Sequence, residues 1–86
     1  MIRILDSAYK HGLEKPAILS AFSNPIYSNH AQSNPLKILL LGISEDMHLI
    51  EIAYTINDDG TTVIFHAMKA PTALINQSKR HHRKKK

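Results

Sequence analysis

Two stretches of the chain alternate between apolar and polar residues with a period of two: Leu49 to Ile56, LIEIAYTI, and Thr61 to Met68, TTVIFHAM. Between them lies Asn57-Asp58-Asp59-Gly60, residues that tolerate turn geometry, so the pattern predicts a β-hairpin with a four-residue loop. With Ile56 set opposite Thr61, alternate side chains sort onto two faces. Ile50, Ile52, Tyr54 and Ile56 then share a core face with Val63, Phe65 and Ala67. The reverse face carries Leu49, Glu51, Ala53 and Thr55 beside Thr62, Ile64, His66 and Met68. In that register Glu51 lies directly opposite His66. Upstream, Leu36 to Gly42, LKILLLG, is apolar without alternation and predicts a strand buried on both faces. The short SEDM connection makes it antiparallel to the next strand, with Leu39 and Leu41 on the core face beside Ile50 and Ile52.

The N-terminal part reads differently. Met1 to Leu5 alternates weakly and predicts a short strand, with Asp6 or Ser7 as candidate N-caps of one helical turn, Ser7 to His11, that Gly12 stops. A second helix begins near Glu14 and Pro16, repeats Ile18, Leu19 and Phe22 at helical spacing behind Leu13, and ends at Asn24-Pro25. Ile26 to Pro35, IYSNHAQSNP, is polar and rich in Ser and Asn, and reads as a connecting loop. Ala70 to Gln77 predicts a short last helix, with Pro71 near its first position and Leu74 and Ile75 against the sheet. The expected architecture is α+β: a small antiparallel sheet of three to four strands, N-terminal helices packed on one face, and a short C-terminal helix.

Composition narrows the function classes. At 86 residues and 43% hydrophobic content, the chain suits one small folded domain, expected over residues 1–78. The absence of cysteine excludes disulfides, zinc thiolate centres and thiol nucleophiles. The run Ile38 to Ile43 is far short of the ~20 apolar residues of a membrane span, and the N-terminus MIRILDSAYK lacks a signal-peptide stretch. A cytoplasmic protein without a membrane partner is expected. The net charge of +4 conceals an asymmetry. Six of the eleven basic residues lie in the tail SKRHHRKKK, so residues 1–78 hold five basic residues against seven acidic ones, a net charge of −2. Residues 79–86 read as a basic, disordered tail. Lys79 and Arg80 are candidates for non-specific contact with RNA phosphates, the alternative being a solvated terminus.

The candidate chemistry centres on the Glu51–His66 pair. An imidazole gives and takes protons near neutral pH, so His66 is a candidate general acid or base with Glu51 orienting it; the alternative is a structural histidine held by a carboxylate. Lys69 is a candidate for stabilising phosphate charge, or a solvated lysine. Lys10 and His11 are candidate RNA-binding residues, or basic residues complementing a helix C-terminus. His11, His30, His48 and His66 are dispersed without metal-ligand spacing, and no Walker loop, Rossmann glycine pattern or GxSxG elbow occurs. Neither a metal nor a cofactor is expected. An acid–base pair with cations but no nucleophile suits RNA, whose 2′-OH supplies one. The reverse sheet face mixes Ile38, Leu40, Leu49, Ile64 and Met68 with Glu51, Thr55, Thr62 and His66. The chain's own C-terminal segment, a protein partner or a second copy in a homodimer would cover it.

The order of motifs over residues 8 to 70 resembles the BrnT-type toxins of bacterial type II toxin–antitoxin systems, within the RelE-like ribonucleases. The resemblance is carried by KHG at Lys10 to Gly12, a helix, Asn24-Pro25, a loop, a strand ending LLG, a strand ending at Tyr54-Thr55, an acidic turn and a strand running into HAMKA. It implies a RelE/BrnT-like fold and a toxin that cleaves mRNA, on or off the ribosome, and inhibits translation until a cognate antitoxin covers it. Where that family carries an arginine-bearing segment this chain has Met68, Lys69 and Pro71. The alternative is therefore a non-catalytic or inactivated relative that binds an antitoxin or RNA.

Overall fold

The computed structural model describes residues 1–33 and 36–70, side chains excepted for 30–33. Its frame is a five-stranded mixed sheet in the order β1-β5-β4-β3-β2. The strands are β1 (Ile2–Ile4), β2 (Pro25–Ser33), β3 (Leu36–Ile43), β4 (Leu49–Ile56) and β5 (Thr62–Lys69). A 3-10 turn, Asp6–Tyr9, and one helix, α1 (Lys15–Ser23), lie between β1 and β2. This corrects the expected architecture. The sheet has five strands, not three or four, it is not wholly antiparallel because β1 runs parallel to β5, and a single helix replaces the layer of N-terminal helices. The expected C-terminal helix, with Pro71, Leu74 and Ile75, lies outside the described residues, as does the tail with Lys79 and Arg80.

The extra strand is the stretch read as a loop. Pro25–Ser33 pairs along β3 as an edge strand. An edge position explains why its polarity was misleading: Ser28 and Asn29 are exposed, and polar side chains on an edge stay in water. Pro25 opens the strand, where a missing N–H costs little. The register with β3 shifts between Pro25 and Tyr27 and again between His30 and Gln32, as a sequence of weak strand propensity allows.

The β4–β5 hairpin closes one residue tighter than the four-residue reading. The Gly60 N–H donates to the Asn57 carbonyl at 2.9 Å, and the Asn57 N–H to the Thr61 carbonyl at 2.9 Å. Gly60 takes φ 89°, so a type I turn followed by a left-handed glycine leaves a three-residue loop. Ile56 therefore pairs with Thr62, not Thr61. A one-residue slip exchanges the faces of β5. Ile64 joins the core, fully buried, and Val63 turns to the reverse face. A bulge at Phe65 then restores the expected parity, because Ala53 pairs with His66 and Ile52 with Ala67.

The core lies between α1 and one sheet face. Ile18 and Ala21 of α1 and Ala8 of the 3-10 turn pack with Leu40, Ile50, Ile52, Ile64 and Ala67, joined by Phe22 and Tyr54, whose rings meet edge to face at 5.1 Å. Burial of these side chains supplies most of the drive to fold. On β3 the helix-facing residue is Leu40, opposite Ile52, while Leu39 and Leu41 pair with Ala53 and Glu51 on the reverse face. Both Leu40 and Leu41 are buried, in keeping with the uninterrupted apolar run. The helix presses closest at Gly42, where an added Cβ would lie 1.9 Å from the Ala21 carbonyl oxygen.

Candidate active site

The reverse face of the sheet gathers the chemistry. Crossing it strand by strand, one row runs Leu41, Glu51, Met68 and the next runs Leu39, Ala53, His66. Glu51 and His66 are thus diagonal neighbours, two positions apart, not directly opposed as the hairpin pattern implied. Diagonal side chains on one face remain within reach when long, and His66 Nε2 lies 2.6 Å from Glu51 Oε2. An ionised carboxylate only accepts, so with Glu51 in that form the bond requires the proton on Nε2, and a neutral ring then carries its lone pair on Nδ1. The pair is sheltered but not sealed, with 27% of the His66 side chain and 16% of Glu51 exposed.

A second imidazole stands beside the first. The chain leaving β1 runs on along the free edge of β5: the Leu5 N–H donates to the Ile64 carbonyl at 2.9 Å, and the Ser7 hydroxyl to the Phe65 carbonyl at 2.6 Å. Ser7 thereby pins the turn to the sheet; the N-cap of the turn is Leu5, without a side-chain bond. The turn ends at Gly12, at φ 88°, whose N–H donates to the Tyr9 carbonyl. This path brings the His11 ring to 5.4 Å from that of His66, edge to face. Lys10 is exposed next to it. The sequence placed His11 and His66 in separate candidate roles, and only the folded edge joins them.

Lys69 does not join this group. It lies three positions beyond His66, and an odd spacing along a strand puts two side chains on opposite faces. Lys69 pairs with Ile50 and lines a cleft of about 340 Å³ on the helix side with Glu14, Glu45, Asp46 and His48. A cation that the sequence reading passed over stands on the reverse face. Lys37 holds its Nζ 5.5 Å from the centroid of the Phe65 ring, within the range of a cation–π contact. The bulge explains the placement, since it lets the sequence neighbours Phe65 and His66 serve the same face. A lysine interrupting an apolar strand, LKILLLG, was the only signal available.

No protein-family model matches the chain, and no curated protein shows significant sequence similarity to it. Among the described residues, no group of three or more His, Cys, Asp and Glu side chains is placed to hold a metal ion, and no helix is long and apolar enough to cross a membrane. The arrangement that the reverse face offers is two imidazoles, one held by a carboxylate, with a lysine and an aromatic ring alongside.

Proposed function

We propose that the protein is an endoribonuclease working by general acid–base catalysis, the toxin component of a type II toxin–antitoxin pair that cleaves mRNA and blocks translation. The observation that carries the nuclease reading is the Glu51–His66 bond with His11 against it. In the proposed reaction Glu51 holds His66 in the tautomer that exposes Nδ1. His66 accepts the proton of a ribose 2′-OH, whose oxygen attacks the adjacent phosphorus. The phosphorus–5′-oxygen bond breaks, and His11, in its protonated form, donates a proton to the departing oxygen. The products are a 2′,3′-cyclic phosphate and a 5′-hydroxyl, and atoms and charge balance without a co-reactant. Paired general acids and bases of this kind contribute about 10²–10⁴-fold each.

The toxin assignment rests on the motif order from Lys10 to Ala70, and the five-stranded mixed sheet departs from the architecture that resemblance implied. The binding-module alternative draws on a different observation: Leu39, Phe65 and Met68 are only partly buried on the reverse face, as a protein-binding surface would have them. Two measurements separate the readings. Incubation with a mixed RNA in the presence of a chelator is expected to yield cyclic-phosphate ends, and a single 2′-deoxy substitution is expected to abolish cutting at that position. Cleavage that survives 2′-deoxy substitution would remove the 2′-OH mechanism, and no cleavage under any condition, translating ribosomes included, would remove the enzyme and leave the binding module.

A further inference from the structure

The end of the reverse face beyond His66 is built from cations and an aromatic ring. Arg3 of β1 pairs with Val63 of β5, and Val63 pairs with Thr55 of β4. Lys37 of β3 is the next residue of that row, since Ile38 pairs with Tyr54 and the Thr55 hydroxyl donates to the Leu36 carbonyl. Arg3 and Lys37 therefore stand on one face, three strand spacings apart, or roughly 14 Å at about 4.8 Å each. Phe65 lies between them, half-buried, with the Lys37 ammonium over its ring. Arg3 is exposed. The charges of the two faces differ: Glu14, Glu45 and Asp46 line the cleft on the helix side, while Glu51 on the reverse face is already engaged by His66. Asp58 and Asp59 lie in the hairpin loop beyond the end of the row, and Asp59 is occupied by the Thr61 N–H.

We infer that Arg3, Phe65 and Lys37 form a binding platform for single-stranded RNA, adjoining the Glu51–His66–His11 group. The inference deepens the nuclease reading and rests on it for the identity of the nucleic acid. Phosphates seat on Arg3 and Lys37, and as the Lys37 ammonium turns from the ring to a phosphate a base takes its place on the Phe65 face, a contact that tolerates any sequence because every base has a π-face. The row runs across the strands, so a bound strand crosses β1, β5, β4 and β3 and passes His66 one row away.

The test is binding by the full chain of a fluorescein-labelled 2′-O-methyl oligonucleotide, which cannot be cleaved through its 2′ position. Dissociation constants are measured over a range of salt for wild type, Arg3→Ala, Lys37→Gln, Phe65→Leu and, as a control on the helix, Lys15→Ala, with folding checked by circular dichroism. Arg3→Ala and Lys37→Gln are each expected to weaken binding and to lower the slope of log affinity against log salt by about 0.7, the share of one phosphate on a single strand. Phe65→Leu keeps an apolar side chain but loses the ring, and is expected to weaken binding roughly fivefold or more with the slope unchanged. Lys15→Ala is expected to bind as wild type. Equal losses in Lys15→Ala, or slopes unchanged in both Arg3→Ala and Lys37→Gln, would overturn the platform, as would binding to anionic lipid vesicles but not to the oligonucleotide. The probe separates this inference from the nuclease. Cleavage of ordinary RNA with wild-type binding in the platform variants retains the enzyme and overturns the platform; the expected binding losses uphold the platform even if the protein cuts nothing.

Discussion

Three single residues show how local geometry sets local stability. Met47 sits at φ 66° in the β3–β4 turn, the position that Gly60 fills in the next hairpin. Its N–H donates to the Ser44 carbonyl at 2.8 Å, and the Ser44 hydroxyl accepts from the His48 N–H. A side chain in left-handed backbone is strained by about 1–2 kcal/mol, and glycine removes the strain while adding freedom to the unfolded chain. Met47→Gly is therefore expected to stabilise the protein by about 0.5–1 kcal/mol in urea unfolding. Gly42→Ala is expected to do the opposite. Its Cβ would collide with the Ala21 backbone, which no rotamer change relieves, and a loss of about 3 kcal/mol or more follows from the forced shift of α1. Asp59 Oδ1 accepts from the Thr61 N–H at 2.9 Å, and that bond, with the Thr61 hydroxyl, holds the Asp59 carboxyl below its ordinary value. A depressed carboxylate stabilises the fold above its unfolded pKa, about 3.9 in general, and the contribution is lost as pH falls through the folded value. Wild type is expected to be more stable than Asp59→Ala at neutral pH, with the gap closing only below about pH 4.

At the scale of elements, the fold separates what periodicity can read from what it cannot. Helix α1 was legible because Pro16 lies in its first turn and Ile18 and Phe22 pack as their helical spacing implied, and β3, β4 and β5 were legible as strands from their β-rich runs. The faces were not. Left-handed backbone at Met47 and at Gly60 shortened each hairpin loop by a residue, which turned over the faces of Leu39 and Leu41 on β3 and of Val63 and Ile64 on β5; a bulge at Phe65 then shifted β5 back, so the assignments held for Ile50, Ile52 and Ala67. Two adjacent leucines make the corrected register testable. Leu40 is 4% exposed in the core cluster and Leu39 is partly buried on the reverse face. Leu40→Ala is expected to cost about 2–5 kcal/mol, and Leu39→Ala clearly less, in thermal or urea unfolding. Similar losses would mean that β3 faces the other way.

At the scale of the whole molecule, the site comes from parts that no sequence window contains. Glu51 and His66 belong to one hairpin and were visible together; His11 arrives from a turn that β1 carries to the edge of β5, and Lys37 from a strand two positions away in the sheet. Parallel pairing of β1 with β5 joins the two ends of the described chain and could not be inferred from local pattern, because short parallel contacts leave no turn signature between them. In the proposed reaction His66, oriented by Glu51 and partnered by His11, moves the protons of RNA cleavage. The measurement that tests it most directly is the rate of cleavage of one defined RNA by wild type, His66→Ala, Glu51→Gln and His11→Ala, each shown folded by circular dichroism. The account predicts a loss of about 10²–10⁴-fold for His66→Ala, a comparable loss for His11→Ala, and a smaller loss for Glu51→Gln, which keeps a hydrogen-bond acceptor. A folded His66→Ala protein that cleaves at the wild-type rate would contradict it.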